Sequence, residues 1–114
     1  MKKSTYSVKT SPIHSIRVLP DRIDWLKHGI PHRTDGPARI LNDGTKSWWK
    51  DGRLHRTDGP AYEFNNGDTS WWKDGRLHRT DGPAVEFEDI TEWWIEGVQY
   101  SEEEFNQHTI INEE

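Results

Sequence analysis

Histidine, arginine and aspartate recur together three times in this chain, at a spacing that suggests chemistry. Histidine and aspartate serve as metal ligands and acid–base groups, and arginine binds anions. Each triplet lies within the longer segment His-Arg-Thr-Asp-Gly-Pro-Ala, which is the unit that recurs. The copies are His32, Arg33 and Asp35; His55, Arg56 and Asp58; and His78, Arg79 and Asp81.

Distance argues against a metal ion shared between copies. Neighbouring copies are expected two β-strands apart, about 10 Å at ~4.8 Å per strand. Two nitrogens on one zinc ion, each at roughly 2.1 Å, must lie within about 4 Å of each other. One histidine and one aspartate per copy supply only two ligands. We therefore expect no metal site and no cofactor.

Catalysis and nucleic-acid binding are also not expected. The same groups recur along the array instead of forming one pocket with distinct roles, and the chain contains no cysteine nucleophile. Each arginine has an aspartate two residues later and the net charge is −5, so no basic stripe for a phosphate backbone is evident. Single strands could stack only on an exposed tryptophan row. The expectation is a non-enzymatic protein.

A structural role is the main expectation for the recurring segment. Asp58 can accept backbone N–H bonds in its own turn, and arginine can pair with an aspartate while histidine packs on tryptophan. Gly59 supplies backbone freedom and Pro60 starts the next strand. The copy that begins at Trp25 differs in its hairpin yet keeps the segment whole. Something therefore constrains the segment more than the hairpin.

The elements that position these groups form an array with a period of 23 residues. The segment 48–61 recurs without change at 71–84. We expect a flexible leader at 1–12, a β-hairpin repeat array at 13–100, and a capping helix and tail at 101–114. The array divides into a partial repeat 15–24, repeats 25–47, 48–70 and 71–92, and a degenerate repeat 93–100.

Two turn signals alternate within each unit, which predicts two short strands and two turns per repeat. Asp51-Gly52 favours a type I′ turn and sets Trp49 opposite Leu54. Asn66-Gly67 provides the second hairpin turn. By the period of two, Tyr62, Phe64, Thr69 and Trp71 are expected to share one face of this strand pair.

Aromatic residues are expected to supply the core. Only 31% of residues are apolar, but seven Trp, three Tyr and three Phe can each bury a large area. The consecutive tryptophans of a repeat point to opposite faces. We expect one tryptophan row to be buried; the other either packs under the curl of the sheet or is available to a second copy or to another partner. At the end, Ser101 and Glu104 form a capping-box pattern for a helix at 102–109 anchored by Phe105.

The period, the turns and the spelling YEFNNGDTSWWKDGRLHR resemble the MORN repeat, over roughly Ser15 to Tyr100. The resemblance implies an all-β fold: a single-layer antiparallel β-sheet of stacked hairpin repeats with, here, a short C-terminal capping helix. It also implies a scaffolding or binding role. The spelling W-x-x-x-G-x-x-H-R-x-D-G-P-A is similar to a variant found in viral, phage and bacterial repeat proteins, which implies a viral origin and no catalytic residue.

Charge and composition bear on location and assembly. The net charge falls from +3 over residues 1–24 to −6 over residues 93–114, which favours association of the basic end with the acidic end. Neither a signal-peptide pattern nor a membrane-spanning stretch is apparent, and the absence of cysteine suits a reducing compartment. The expected location is the cytoplasm, the host cytoplasm if the protein is viral.

The expected function is protein binding, as a small phage or viral inhibitor that holds or blocks a host protein. Two alternatives remain open: a sponge for nucleotides or other small anions, and a self-assembling scaffold or homo-oligomer. Nucleic acid and membrane partners are not expected. The candidate binding residues are Trp48, Trp49, Trp71 and Trp72 with His32, Arg33, His55, Arg56, His78 and Arg79.

Overall fold

The computed structural model describes residues 13–113, and their side chains up to residue 108. These residues form an elongated molecule of 68 × 33 × 19 Å. It is an open antiparallel β-sheet that does not close into a barrel, followed by one helix. The expected flexible leader 1–12 lies outside the described residues.

Fourteen short strands precede the helix. In chain order they are β1 (His14–Val18), β2 (Arg22–Lys27), β3 (Ile30–Pro31), β4 (Arg39–Leu41), β5 (Lys46–Ser47), β6 (Trp49–Lys50), β7 (Arg53–Leu54), β8 (Tyr62–Glu63), β9 (Thr69–Ser70), β10 (Trp72–Lys73), β11 (Arg76–Leu77), β12 (Val85–Glu86), β13 (Thr91–Ile95) and β14 (Val98–Tyr100). The helix is α1 (Glu102–Glu113).

Ten of the strands form one large sheet. Its order is β1-β2-β4-β5-β8-β9-β12-β13-β14, with β3 paired to β2. The pairs β6–β7 and β10–β11 are separate two-stranded hairpins, and every pairing is antiparallel. The expected all-β class, with hairpins extending an antiparallel sheet and a terminal helix, is confirmed.

Each unit contains four short strands, so the prediction of two strands per unit is wrong. The strand that begins at β5 is interrupted at Trp48 before it continues as β6. The Trp48 N–H donates to the carbonyl of Ala61 at 2.7 Å, and its own carbonyl accepts from the N–H of His55 at 3.0 Å. Trp48 thus connects the large sheet to the small hairpin.

The turn at Asp51-Gly52 has the predicted geometry. Both residues have positive φ, 49° and 82°, as a type I′ turn requires. Trp49 lies opposite Leu54, as expected from counting outward from the turn. Adjacent small hairpins are joined by backbone hydrogen bonds, such as Gly75 N–H to the Leu54 carbonyl at 2.8 Å.

The turn at Asn66-Gly67 differs from the prediction, and the difference moves the side chains of the following strand to the opposite face of the sheet. The Phe64 N–H donates to the Asp68 carbonyl, so the loop has three residues, and of these only Gly67 has positive φ, at 94°. Such a loop shifts the pairing by one residue relative to a two-residue turn. Tyr62 therefore pairs with Ser70. Thr69 and Trp71 lie on the opposite face from Tyr62 and Phe64.

Many of the buried positions hold small side chains, and none of them holds a tryptophan. Ala38, Ala61 and Ala84 are each 0% exposed, and Ser47 and Ser70 are also buried. All seven tryptophans are half-buried, so the expectation of one buried tryptophan row is wrong. A sheet without a second layer of secondary structure cannot cover large rings, whereas closely spaced strands can cover a methyl group.

The helix begins with the predicted capping box. The Glu104 N–H donates to Ser101 Oγ at 3.1 Å, and Glu104 Oε1 accepts from the Ser101 N–H at 2.8 Å. Phe105 is buried, 5% exposed. The helix continues to Glu113, beyond the predicted range 102–109. Within residues 13–113 no helix is both long and apolar enough to cross a membrane.

Candidate functional site

One face of the sheet, here called the arginine face, carries a stack of arginine on tryptophan in each of three units. The guanidinium carbon of Arg56 lies 3.9 Å from the ring centroid of Trp48. The distance is 4.0 Å for the pairs Arg33–Trp25 and Arg79–Trp71. A cation over an indole ring is stabilised by the ring quadrupole.

The same guanidinium closes the loop that follows it. Arg56 Nε donates to Asp58 Oδ1 at 2.9 Å, and its terminal nitrogen donates to the Pro60 carbonyl at 2.9 Å. A Cβ placed on Gly59 would come within 2.8 Å of the Arg56 guanidinium carbon. A methyl group on this residue would therefore displace the guanidinium from its present contacts. The other two copies repeat these contacts.

The proline and alanine that end the segment join one unit to the next strand. Ala61 is fully buried and its carbonyl accepts the Trp48 N–H. A larger side chain would have no space in this position. Arginine, aspartate, glycine, proline and alanine thus each have a defined structural contact, which accounts for their recurrence.

The histidine of each segment accepts a hydrogen bond from the next unit. Nδ1 of His32 accepts the Asp51 N–H at 2.9 Å, and Nδ1 of His55 accepts the Asp74 N–H at 3.0 Å. His78 accepts the Glu96 N–H in the same way, at 2.9 Å. The histidines therefore hold successive type I′ turns in register, and each must have an unprotonated Nδ1 to do so.

The threonine is the polar residue of each segment whose side chain makes no hydrogen bond within the part of the chain that the structure describes. Thr57 is exposed and lines two of three shallow grooves that repeat along the arginine face. Two of the grooves lie between successive loops, the third lies between β1 and the first loop, and each has a tryptophan in its lining. The repeating grooves are open and polar along their loop edges.

The pKa values of two aspartates and one histidine on this face are lowered, by hydrogen bonds from arginine and by burial respectively. The hydrogen bond from Arg33 holds the pKa of Asp35 below its usual value of 3.8, and Arg56 does the same for Asp58. Burial lowers the pKa of His78 below 6.5; the carboxylate of Glu96 opposes this shift, and Lys73 adds to it. At neutral pH Asp35 and Asp58 are ionised and His78 is a neutral acceptor.

The opposite side of the sheet, here called the aromatic face, contains an apolar groove of about 330 Å³. The groove spans two units, and eight of its ten lining residues are aliphatic or aromatic. They are Leu54, Tyr62, Phe64, Ser70, Trp72, Leu77, Val85, Phe87, Ile90 and Glu92. The one-residue register shift at Asn66-Gly67 is what puts these rings on one side.

The rings of the groove are fixed by each other and by the serines beneath them. The centroids of Tyr62 and Phe64 lie 4.6 Å apart, and Phe64 meets Phe87 edge to face at 5.5 Å. Trp72 Nε1 donates to Ser70 Oγ at 2.8 Å. The groove is therefore preorganised, with half-buried rings held in defined positions.

A charged cluster lies on the aromatic face at its N-terminal end. Asp24 is 0% exposed and accepts from Arg17 at 3.2 Å, Arg22 at 3.2 Å and Arg39 at 2.9 Å. Burial raises the pKa of Asp24, but the three arginine hydrogen bonds outweigh it, so the net pKa lies below 3.8. Asp24 stays an anion at neutral pH.

The structure separates the candidate residues predicted from sequence. Trp48, Trp71 and all the His-Arg pairs lie together on the arginine face, where the arginines and histidines already have partners within the chain. Trp49 and Trp72 lie on the aromatic face, and Trp72 lines the groove. The positions of Tyr62 and Phe64 were misassigned relative to Trp71, and Phe87 was missed. An Asn-Asn-Gly loop with glycine last is the signal that identifies their shared face.

Among the described residues, no group of three or more His, Asp or Glu side chains is placed to hold a metal ion. Comparison with protein-family models, with curated proteins and with solved structures gives no match to this chain. Function must therefore be argued from the two faces themselves.

Proposed function

We propose that this chain is a non-enzymatic, MORN-like protein-binding module, and that it binds its partner through the aromatic face. The observation that carries the proposal is the apolar groove from Leu54 to Ile90, which no other part of the described chain covers. Contiguous apolar surface on a soluble domain is costly unless a partner covers it. Holding or blocking another protein, as an inhibitor does, is the role that fits such a surface.

The chemistry of the groove favours a polypeptide over a small ion. Its lining is dominated by Tyr, Trp, Phe and Leu side chains, and aromatic anchors contribute most to protein binding energy. The arginine face suits an anion sponge less well because Arg56 already bonds Asp58, Pro60 and Glu63. The groove has no such internal partner, so it is the better candidate.

The proposed location is the cytoplasm. The histidine contacts and the arginine–tryptophan stacks do not depend on disulfides, and the chain has no cysteine. A domain held together by such contacts has no need of an oxidising compartment. Fractionation of cells that express the tagged full chain tests this point, and recovery in a secreted or membrane fraction would contradict it.

Selection from a display library of random peptides tests the binding proposal. Peptides of about 12 residues span about 40 Å when extended, enough to cross the groove. We expect selected peptides to bind the wild-type protein and to bind the double variant Phe64→Thr/Phe87→Thr at least about tenfold more weakly. Threonine removes the rings and, being β-branched, still favours an extended backbone.

Two further variants guard against a change of fold. Ile90→Lys places a charge at the groove rim, where Ile90 is 48% exposed, and is expected to weaken binding as well. Ile16→Thr removes a more exposed apolar side chain, 60% exposed, from β1 on the arginine face and is expected to bind as wild type. Equal binding by wild type and both groove variants would overturn the proposal.

A further inference from the structure

The aromatic face joins its apolar groove to a cluster of arginines. Arg17 on β1, Arg22 on β2 and Arg39 on β4 surround Asp24 on this face. The cluster is continuous with the aromatic residues, because the Arg39 guanidinium carbon lies 5.6 Å from the ring centroid of Trp49. Trp49 pairs with Leu54, which lines the groove, so the cluster and the groove form one strip.

The cluster has more positive than negative charge. Three arginines contact Asp24, and Asp21 adds a longer contact of 3.4 Å to Arg22. Each arginine gives one nitrogen to Asp24, although a guanidinium has five N–H donors. The Arg17 side chain is 50% exposed. Donors at Arg17 are thus accessible to an acceptor from outside the chain.

The distance between the arginine cluster and the apolar groove sets the length of a peptide segment that can contact both. From β4, which carries Arg39, to β8 there are two strand spacings, about 10 Å, and from β1, which carries Arg17, to β8 there are four, about 19 Å at ~4.8 Å each. An extended chain covers about 3.3 Å per residue, so the separation corresponds to roughly three to six residues. Such a segment crosses the strands.

We propose that the partner is an acidic polypeptide segment, whose apolar side chains fill the groove and whose carboxylates, roughly three to six residues away, pair with Arg17 and its neighbours. This inference rests on the proposed function and adds the chemistry of the partner. Arginine matches a carboxylate with two parallel hydrogen bonds, and a rim charge of this kind sets orientation and partner choice.

The peptides selected on the wild-type protein provide the test. We expect them to combine aromatic or aliphatic residues with Asp or Glu at that spacing, and to bind more weakly as salt is raised. Arg17→Gln is expected to weaken binding about three- to fivefold, since the pair is partly exposed. Arg53→Gln removes an exposed arginine from the arginine face and is expected to leave binding unchanged.

Each result separates this inference from the proposal on which it depends. Selected peptides without carboxylates, or equal binding by wild type and Arg17→Gln, would overturn the acidic partner while the groove variants could still support peptide binding. If the groove variants bind the peptides as tightly as the wild type does, the proposed function itself is overturned. Light scattering of the protein alone tests whether a second copy of the chain occupies the groove. Dimers that Arg17→Gln and Ile90→Lys both abolish would show that the partner is a second copy and not an acidic segment of another protein.

Discussion

The guanidinium carbon of Arg56 lies 3.9 Å from the ring centroid of Trp48, and a Cβ added to Gly59 would come within 2.8 Å of the same carbon. Only a planar cation fits between a ring and a glycine while also bonding Asp58 and Pro60. The recurring segment is therefore built around one guanidinium per unit. The predictions below test this construction and the charged cluster.

Replacing the guanidinium by an ammonium should weaken the fold. Arg56→Lys loses the planar stack and the Nε bond to Asp58, and we expect a loss of about 2 kcal/mol in the free energy of unfolding. Urea unfolding followed by tryptophan fluorescence measures it. Arg53→Lys in the same unit is the matched control, because Arg53 is exposed. Equal midpoints for the two variants would contradict a structural role for the stack.

Gly59 should be intolerant of a methyl group for the same reason. Gly59→Ala puts its Cβ about where the Arg56 guanidinium lies, and we expect a cost of about 1–3 kcal/mol. A double-mutant cycle with Arg56→Ala identifies the cause, since the cost of Gly59→Ala should largely disappear once the guanidinium is gone. An unchanged cost in that background would place the clash elsewhere.

Acidification should loosen the contact between the last two hairpins. The pKa of His78 is lowered in the folded protein, so the unfolded chain binds its proton more readily. The stability that His78 contributes is therefore complete above pH 6.5 and is lost as pH falls through the lower folded pKa. Protonation at Nδ1 also removes the acceptor for the Glu96 N–H.

Urea unfolding between about pH 7.5 and 5.5 measures this dependence. His78→Asn keeps an acceptor near the Nδ1 position without a titrating group, and we expect a shallower pH slope than in wild type. His28→Asn is the control, because His28 is exposed at a turn position with φ of 52° that asparagine tolerates. A slope that His28→Asn reduces as much as His78→Asn would contradict the assignment.

Removing the buried carboxylate should be costly at neutral pH. Asp24→Asn leaves three arginines without their shared anion, and we expect a loss of about 3 kcal/mol. Asp21→Asn is the control, since its exposed contact at 3.4 Å should contribute less than about 1 kcal/mol. Because the folded pKa of Asp24 lies below 3.8, the wild-type advantage is present above that pH and declines below it. A difference that persists undiminished in acid would contradict this linkage.

The sequence predicted the parts of the fold that depend on a few neighbouring residues. The positive φ values at Asp51 and Gly52 and the Ser101 capping box follow from local residue chemistry and were confirmed. The array was predictable because identical segments recur. The helix end was not, because helix ends depend on packing as well as on the residues present.

The errors came from features that depend on register and on packing between strands. Counting two loop residues instead of three at Asn66-Gly67 moved Thr69 and Trp71 to the wrong face, since side chains alternate with a period of two. The buried role of Ala61 was missed because alanine carries no pattern of its own. Asp24 was missed because its three arginines come from different strands.

Histidine Nδ1 contacts run only from one unit to the next, as from His55 to the turn at Asp74. A unit inserted into or removed from the middle of the array would meet the same neighbours on both sides, so the number of units is free to change by whole duplications. The two ends are fixed, with Asp24 near one and Phe105 at the other. The length of the aromatic strip is thus set by the number of units: it increases by about 10 Å for each added unit, and the contacts between units stay the same.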